Sequence, residues 1–301
     1  MISCQIKKQL FDAQGIMPLE MDFTINSGER VALYGSSGAG KTSVLRMLAG
    51  LMKPDSGAIE VGGASWFDSD RKFHLNPGKR GLGFVFQDYA LFPNMTVLEN
   101  LEFAQGPDKS GMILQELLDV MELGELRNSK PGSLSGGQQQ RAALARALAG
   151  NPDILLLDEP FTALHAEMRI RLSEYLLQIH KKSNLTVILI THELGDIFRI
   201  CDRVMVLERG KIINNGTPET VFLGDSSKSE LRMHGIVLRI VDEGQKGRVS
   251  VQLQSEIHEI EVDQDRINSF SVGDEVYFSF NLENSGQLHL RPYPNNYKNS
   301  V

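Results

Sequence analysis

Residues 35–42 read Gly-Ser-Ser-Gly-Ala-Gly-Lys-Thr and lie between an apolar segment, Val31–Tyr34, and a helix-forming segment, Ser43–Ala49, that ends at Gly50. The octapeptide fits G-x-x-x-x-G-K-[ST], and a strand before it with a helix after it is the context in which that pattern binds phosphate. A flexible Gly/Ser loop is the alternative, which the flanking strand and helix disfavour. The sequence therefore predicts a nucleotide-phosphate loop.

The residue types in this loop explain the predicted chemistry. Glycines let backbone N–H groups curl around phosphate oxygens without a Cβ clash, and the start of the following helix adds a favourable dipole. Lys41 is expected to reach the β and γ phosphates of ATP, and the Thr42 hydroxyl is expected to bind Mg²⁺. The predicted nucleotide-binding residues of this segment are Gly35, Ser36, Ser37, Gly38, Ala39, Gly40, Lys41, Thr42 and Ser43.

An acidic pair ends a second apolar run. Asp158 and Glu159 follow Ile154–Leu157 directly, so they are expected at the carboxyl edge of a buried parallel strand, where α/β proteins hold ligands. Asp158 is predicted to hold Mg²⁺ through water, and Glu159 to polarise the water that attacks the γ phosphate. Alone, such a pair would more often cap a helix; together with the phosphate loop it favours catalysis.

The remaining pattern up to about residue 224 predicts an α/β fold. Alternating apolar residues predict a half-buried strand, helical spacing predicts an inserted helical region within Asn100–Leu126, and further strands and helices alternate. Such alternation is typical of a parallel sheet covered by helices. The elements are a strand with Leu19, Met21, Phe23 and Ile25 buried, a helix over Ala166–Lys181, and strands at Val187–Ile190 and Val204–Leu207.

A second domain is predicted after a short linker. Residues 225–230 read Asp-Ser-Ser-Lys-Ser-Glu, a polar composition that suits a solvated linker. Short alternating segments spaced by about ten residues then predict a small β-barrel over 231–293, and 294–301 a frayed tail. The segments are Ile236–Ile240, Arg248–Leu253, Ile257–Val262, Glu275–Phe280 and Gln287–Leu290.

Charge and composition exclude several classes. The net charge of −7, and seven Lys and Arg against ten Asp and Glu in 231–301, disfavour a nucleic-acid-binding barrel. Cys4 and Cys201 are far apart and are expected to be reduced thiols. No apolar stretch approaches the roughly 18 residues of a spanning helix, and the N-terminus does not resemble a signal peptide, so a cytoplasmic chain is expected.

Leu134-Ser135-Gly136-Gly137-Gln138, followed by Gln139-Gln140-Arg141 and a helix, resembles the signature sequence of the ABC ATPases. Without the other motifs it would indicate a helix start capped by Ser135, and both interpretations can hold together. The resemblance implies that Ser135, Gly136, Gly137 and Gln138 bind the nucleotide of a second cassette, so that two copies pair head to tail. It implies a P-loop NTPase cassette over 1–224, with a helical subdomain at about 88–150 and an OB-like (TOBE- or Mop-like) accessory barrel.

The same resemblance assigns further residues. Gln87, within Gly83-Phe84-Val85-Phe86-Gln87-Asp88, looks like the family's Q-loop glutamine, which contacts Mg²⁺ and assists catalysis. His192 looks like its switch histidine, again a catalytic residue together with Glu159 and Lys41. Phe11 resembles the aromatic residue that stacks on adenine, although a core position is nearly as compatible with its sequence context.

The segment 83–97 and the Lys79-Arg80 pair before it resemble importer cassettes, with the molybdate importer the nearest in pattern. The resemblance implies permease and solute-binding-protein partners, a location at the cytoplasmic face of the inner membrane, and uptake of molybdate, tungstate or sulfate. Importers of polyamine, iron or sugar remain open alternatives. A non-transport ABC ATPase is disfavoured, because only 94 positions separate Lys41 from Ser135 and only one cassette is present.

One position departs from the family pattern. After Phe161-Thr162-Ala163-Leu164 the family continues with aspartate, whereas this chain has His165. In the family that aspartate helps to organise the interface between cassettes. A titratable histidine there predicts altered coupling between the two sites and pH-sensitive activity.

Overall fold

The structure is a computed structural model that describes residues 1–12, 15–105, 111–223, 230–242, 246–253, 256–263, 267, 269–281 and 288–292. They belong to two compact units, Met1–Val221 and Phe222–Val301.

The first unit is built from eleven strands among its described residues. These are β1 Ile2–Asp12, β2 Gly15–Ile25, β3 Arg30–Tyr34, β4 Ser56–Val61, β5 Ala64–Asp68, β6 Phe73–His74, β7 Leu82–Val85, β8 Ile154–Asp158, β9 Thr186–Ile190, β10 Arg203–Glu208 and β11 Lys211–Gly216. The helices are α1 Lys41–Leu48, α2 Val97–Gln105, α3 Gly111–Val120, α4 Gly136–Ala149, α5 Ala166–Ser183, α6 Leu194–Ile200 and α7 Pro218–Leu223, with 3₁₀ turns at Pro77–Lys79 and Pro131–Ser133.

The central sheet has the strand order β11-β10-β3-β9-β8-β7. Its strands are parallel from β10 to β7, and β11 is an antiparallel edge strand. Every residue of β8 and β9 is buried, which is why both read as unbroken apolar runs. The predicted parallel α/β sheet is therefore confirmed, and it brings the ends of β3, β8 and β9 to one edge.

A second, antiparallel sheet, β2-β1-β4-β5-β6, was only partly predicted. The alternating burial of β2 matches the expected half-buried strand, with Leu19, Met21, Phe23 and Ile25 inside. Its partners β1 and β4 were not predicted. The hairpin of β1 and β2 runs from the Ile2–Ile25 pair to Asp12 and Gly15, and so carries Phe11 to its tip.

The predicted helical insertion contains helices in the described residues. Helical spacing over Asn100–Leu126 gives two helices, α2 and α3, with residues 106–110 outside the described part of the chain. Leu114, Leu117, Leu118 and Met121 are buried, as their three- and four-residue spacing indicates.

The described residues of the second unit form an antiparallel sheet, β14-β13-β12-β15-β16. The strands are β12 Glu230–Asp242, β13 Lys246–Leu253, β14 Glu256–Asp263, β15 Glu275–Asn281 and β16 Leu288–Pro292. The assignment of Glu230 to a linker was wrong, because the β12–β15 ladder extends to its pairing with Asn281. The rest of the linker, Gln287 and the tail lie outside the described residues, and closure of the sheet into a barrel stays a prediction.

Both cysteines lie in the first unit as free, buried thiols. Burial raises the pKa of Cys4 to about 12 and raises that of Cys201 further. Neither is therefore a reactive thiolate near neutral pH. Among the described residues, no helix combines the length and the apolar composition needed to cross a membrane.

Candidate nucleotide-binding site

The phosphate loop joins β3 to α1 at the carboxyl edge of the central sheet. Gly35 has a φ of +150°, and a Cβ there would overlap the carbonyl oxygen of Leu207, so this position requires glycine. Gly40, the N-cap of α1, is left-handed, and no side chain caps the helix. The first N–H groups of α1 are therefore available to an anion, as the sequence predicts.

Lys41 is folded back onto the loop. Its side chain is buried, and its Nζ donates to the carbonyl oxygens of Gly35, at 2.7 Å, and Ser36, at 2.8 Å. Burial lowers the pKa of Lys41, and the nearby carboxylates of Glu159 and Asp158 oppose that shift. The ammonium group thus lies between the loop and the acidic pair, where an incoming phosphate can take the place of the two carbonyls.

Asp158 is the last residue of β8 and is only 3% exposed. Burial raises the pKa of its carboxyl, the hydrogen bond from the Thr42 side chain opposes the shift, and the charge of Glu159 adds to it. The side chains of Asp158 and Thr42 therefore present neighbouring oxygen atoms, the ligand type that Mg²⁺ prefers. No cluster of three His, Cys, Asp or Glu that could hold a metal alone occurs in the described part of the chain, so phosphate oxygens and water would have to complete the coordination.

Glu159 adopts an uncommon backbone conformation, with a φ of +52°. Its N–H donates to the carbonyl oxygen of Ile190, at 2.9 Å, and its Oε1 lies 2.9 Å from Nε2 of His192. Non-glycine residues with positive φ are strained and concentrate at functional sites. With this backbone conformation, the Glu159 carboxylate at the end of β8 contacts His192, which lies two positions after the end of β9.

Lys41, Glu159 and His192 border one cleft of about 620 Å³, whereas Asp158 does not line it; the volume is typical of small-molecule sites. It is lined by the predicted residues Phe11, Ser37, Gly38, Gly40, Lys41, Thr42, Ser43, Gln87, Glu159 and His192. Lining residues that were not predicted are Lys8, Gln9, Leu10, Met17, Met52 and Ile190. Most of these come from the β1–β2 hairpin, and no local motif marks them.

Phe11 is 79% exposed at the tip of the β1–β2 hairpin and borders the cleft. A core position for this residue is therefore excluded. A large exposed apolar ring at the rim of a cleft is suited to stacking on a planar ligand.

The signature residues lie apart from the cleft, since none of positions 135–138 lines it. Ser135 is the N-cap of α4: its hydroxyl accepts from the Gln138 N–H, at 3.3 Å, and the Gln138 side chain accepts from the Ser135 N–H, at 2.8 Å. The capping prediction is thus confirmed. In the described part of the chain, the side-chain cap of α4 is the Ser135–Gln138 pair, which leaves the proton of the Ser135 hydroxyl available to a ligand.

Comparison with known proteins identifies the fold. The ABC transporter family model matches residues 19–162. A sulfate/thiosulfate import ATP-binding protein CysA of Pectobacterium atrosepticum is 38% identical in an alignment that covers 86% of this chain and 91% of that protein. The chain belongs to the ABC transporter family.

Two further matches cover a smaller share of the chain. The CysA 2 protein of Chromobacterium violaceum is 44% identical, over 69% of this chain but only 57% of its own length. A dimeric ATP-binding cassette, MJ0796, solved in a post-hydrolysis state with ADP and Pi, superposes with a TM-score of 0.64 at 30% identity, covering 72% of this chain and 99% of that one. The predicted ABC ATPase is therefore confirmed. The names of these relatives do not support molybdate, whereas sulfate was among the expected oxyanions.

Proposed function

We propose that this cassette is the ATP-hydrolysing subunit of an importer for sulfate or a closely related tetrahedral oxyanion. The observation that carries this proposal is the alignment with the Pectobacterium sulfate/thiosulfate protein over 91% of that protein's length, which extends beyond the matched family model. Its partners would be two permease subunits and a solute-binding protein, with the cassette on the cytoplasmic face of the inner membrane. The second unit would close into a small OB-like barrel that serves regulation or dimer stability.

In the proposed reaction, the phosphate loop and Lys41 bind the β and γ phosphates. The free N–H groups at the start of α1 would donate to phosphate oxygens, and Lys41 would exchange its bonds to Gly35 and Ser36 for the γ phosphate. Phe11 would stack on adenine at the other end of the cleft. Phosphoryl transfer asks the protein mainly for such positioning and charge neutralisation.

Glu159 is the proposed general base. It would accept a proton from the attacking water, while His192 holds the carboxylate through the 2.9 Å contact and contacts the γ phosphate. Gln87, which lines the same cleft, would help to place the water. The oxygens of Thr42, Asp158 and Gln87 would hold Mg²⁺, which when bound neutralises charge on the phosphates.

The separation of the signature from the cleft supports a dimer as the working unit. Ser135 and Gly137 would complete the nucleotide site of a second copy, because they border no part of the cleft in their own chain. The two contacts, in which each copy offers its signature to the cleft of the other, are related by a two-fold axis and form an isologous dimer.

The proposal is tested by uptake in the native cell. The chromosomal copy is replaced by the Glu159→Gln variant, which keeps the protein present for its partners, and initial uptake of ³⁵S-sulfate and ⁹⁹Mo-molybdate is measured at equal expression. We expect sulfate uptake to fall to background, with molybdate uptake unchanged.

Loss of molybdate uptake alone would replace sulfate by molybdate as the cargo. Unchanged uptake of both ions would overturn the oxyanion proposal and favour a polyamine, iron or sugar importer, or a non-transport ATPase. Uptake of those solutes in the same strain separates these alternatives.

A further inference from the structure

Gln140 is a buried carboxamide that the site described above does not use. It lies one turn into α4, beyond the signature residues, and is 1% exposed. A buried amide is stable only when its donors and acceptor are paired, so its partners indicate its function.

All of its partners belong to the segment that follows Asp158. Nε2 of Gln140 donates to the carbonyl oxygen of Glu159, at 3.0 Å, and to the Thr162 hydroxyl, at 3.3 Å. Its Oε1 accepts from the N–H of Ala163, at 3.0 Å. One side chain thus binds both ends of the loop Glu159–Ala163.

The start of α4 also packs tightly against this loop. A Cβ on Gly137 would lie 2.9 Å from the carbonyl oxygen of Ala163, so only glycine permits the approach that Gln140 needs. The glycine of the signature therefore has a role within its own chain, in addition to any contact with a nucleotide of a second copy.

The consequence falls on Glu159, whose backbone is bound on both sides. Its N–H is bonded to Ile190 and its carbonyl to Gln140, and the Thr162 hydroxyl donates to the same carbonyl at 3.3 Å. These bonds hold the strained φ of +52° against relaxation to the favoured negative region. The carboxylate direction depends on that backbone angle.

We infer that Gln140 is a positioning residue for Glu159, through which the signature helix sets the orientation of the catalytic carboxylate in its own chain. The inference rests on the proposed role of Glu159 as general base. It does not depend on which solute is transported, because it concerns only ATP hydrolysis by the purified protein.

The primary test compares Gln140→Met with Gln139→Met. Methionine has nearly the length of glutamine but cannot make these hydrogen bonds. Gln139 is the matched control: it is adjacent on α4, and its Nε2 donates to two backbone carbonyls, those of Pro131 at 3.0 Å and Leu134 at 3.2 Å, away from the loop.

We expect Gln140→Met to lower kcat by about tenfold or more, since small misplacements of a catalytic group are costly, with the KM for ATP and nucleotide affinity changed less than about twofold. Gln139→Met should keep kcat within about twofold of the parent at a similar loss of thermal midpoint. Equal losses of kcat in both variants, or a higher KM for ATP with unchanged kcat in Gln140→Met, would overturn the inference.

The second test is a double-mutant cycle. In the Glu159→Gln background the carboxylate is gone, so adding Gln140→Met should leave the residual kcat unchanged; a further loss equal to that in the parent would show that Gln140 does not act through Glu159. If Gln140→Met fails to fold, the isosteric Gln140→Glu keeps the acceptor for Ala163 but loses the donor to Glu159, and parental kcat in that variant would contradict the inference.

The two proposals fail separately. Parental turnover by Glu159→Gln would defeat the assignment of the general base. An inactive Glu159→Gln beside a fully active Gln140→Met would defeat only the role of Gln140.

Discussion

Nε2 of His192 lies 2.9 Å from Oε1 of Glu159, although 33 positions separate them in the chain. The contact joins the residues that follow two neighbouring parallel strands, β8 and β9, at the edge where the phosphate loop also ends. A carboxylate and an imidazole in contact beside a buried lysine form an arrangement suited to moving a proton during hydrolysis.

Replacing Glu159 by Gln should leave ATP binding intact and reduce turnover by about a hundredfold or more, the contribution of a positioned general base. Phosphate release and binding of a fluorescent ATP analogue measure the two effects. The control is Glu193→Gln, at an acidic residue next to His192 that pairs with Arg169 at 3.5 Å and does not line the cleft. Turnover by Glu159→Gln equal to that of Glu193→Gln would place the base elsewhere.

The burial of Asp158, a proposed Mg²⁺ ligand, is predicted to lower the free energy of unfolding when its carboxyl is ionised. Its pKa is raised in the folded protein, so the folded state holds the proton more tightly than the unfolded chain. Ionised Asp158 therefore destabilises the fold; this cost is absent below the ordinary carboxyl pKa of about 4 and grows as the pH rises through the folded-state pKa.

Without nucleotide and with EDTA present, Asp158→Asn should raise the thermal midpoint at about pH 8, because the amide removes the cost of keeping a buried carboxylate ionised. The gain should shrink towards about pH 5, and Mg²⁺-dependent hydrolysis should be lost. Scanning fluorimetry at several pH values measures the difference, with the exposed Asp153→Asn as control. A lower midpoint for Asp158→Asn at about pH 8 would contradict the sign of this argument.

His165 occupies the N-cap of α5, but its side chain makes no capping hydrogen bond. Aspartate is among the best N-cap residues and also favours the positive end of the helix dipole. His165→Asp should stabilise the cassette by about 1 kcal/mol, and it should raise the rate of ATP turnover or change its timing if this position couples two sites. Thermal midpoint and kcat between about pH 6 and 8 are the readouts, with His165→Asn as the uncharged control. Unchanged kinetics across that range would remove the coupling role.

Mixing two defective variants tests the head-to-tail dimer. Lys41→Ala should weaken ATP binding, and Ser135→Arg should block the signature; neither variant alone should hydrolyse ATP. In a two-fold dimer with shared sites, the mixed pair rebuilds one site from the intact halves, so an equal mixture should recover about a quarter of parental turnover. Turnover should recover once the two variant dimers have dissociated on dilution and reassociated as mixed dimers. If turnover does not recover, each chain forms its site alone.

Much of the fold and of the nucleotide site can be predicted from the sequence because the sequence patterns that specify them are local. The phosphate loop is eight contiguous residues between a strand and a helix, and the runs before Asp158 and His192 are apolar because both faces of β8 and β9 are buried. Each of those signals depends only on near neighbours. The sequence alone therefore predicted the central sheet, the cleft-lining Lys41 and Glu159, and the family.

Only the tertiary structure decided how these pieces meet. The β1–β2 hairpin takes Phe11 to the rim of the cleft, and Gln140 binds the backbone of Glu159 from a helix nineteen positions earlier. These contacts depend on the order of strands in the sheets and on the packing of α4 against the loop after β8, and no local sequence pattern predicts either. A short stretch of sequence is enough to specify which segments are buried and which bind an anion. The direction of the Glu159 carboxylate, by contrast, is set by hydrogen bonds to groups distant in the sequence, which only the folded chain brings together.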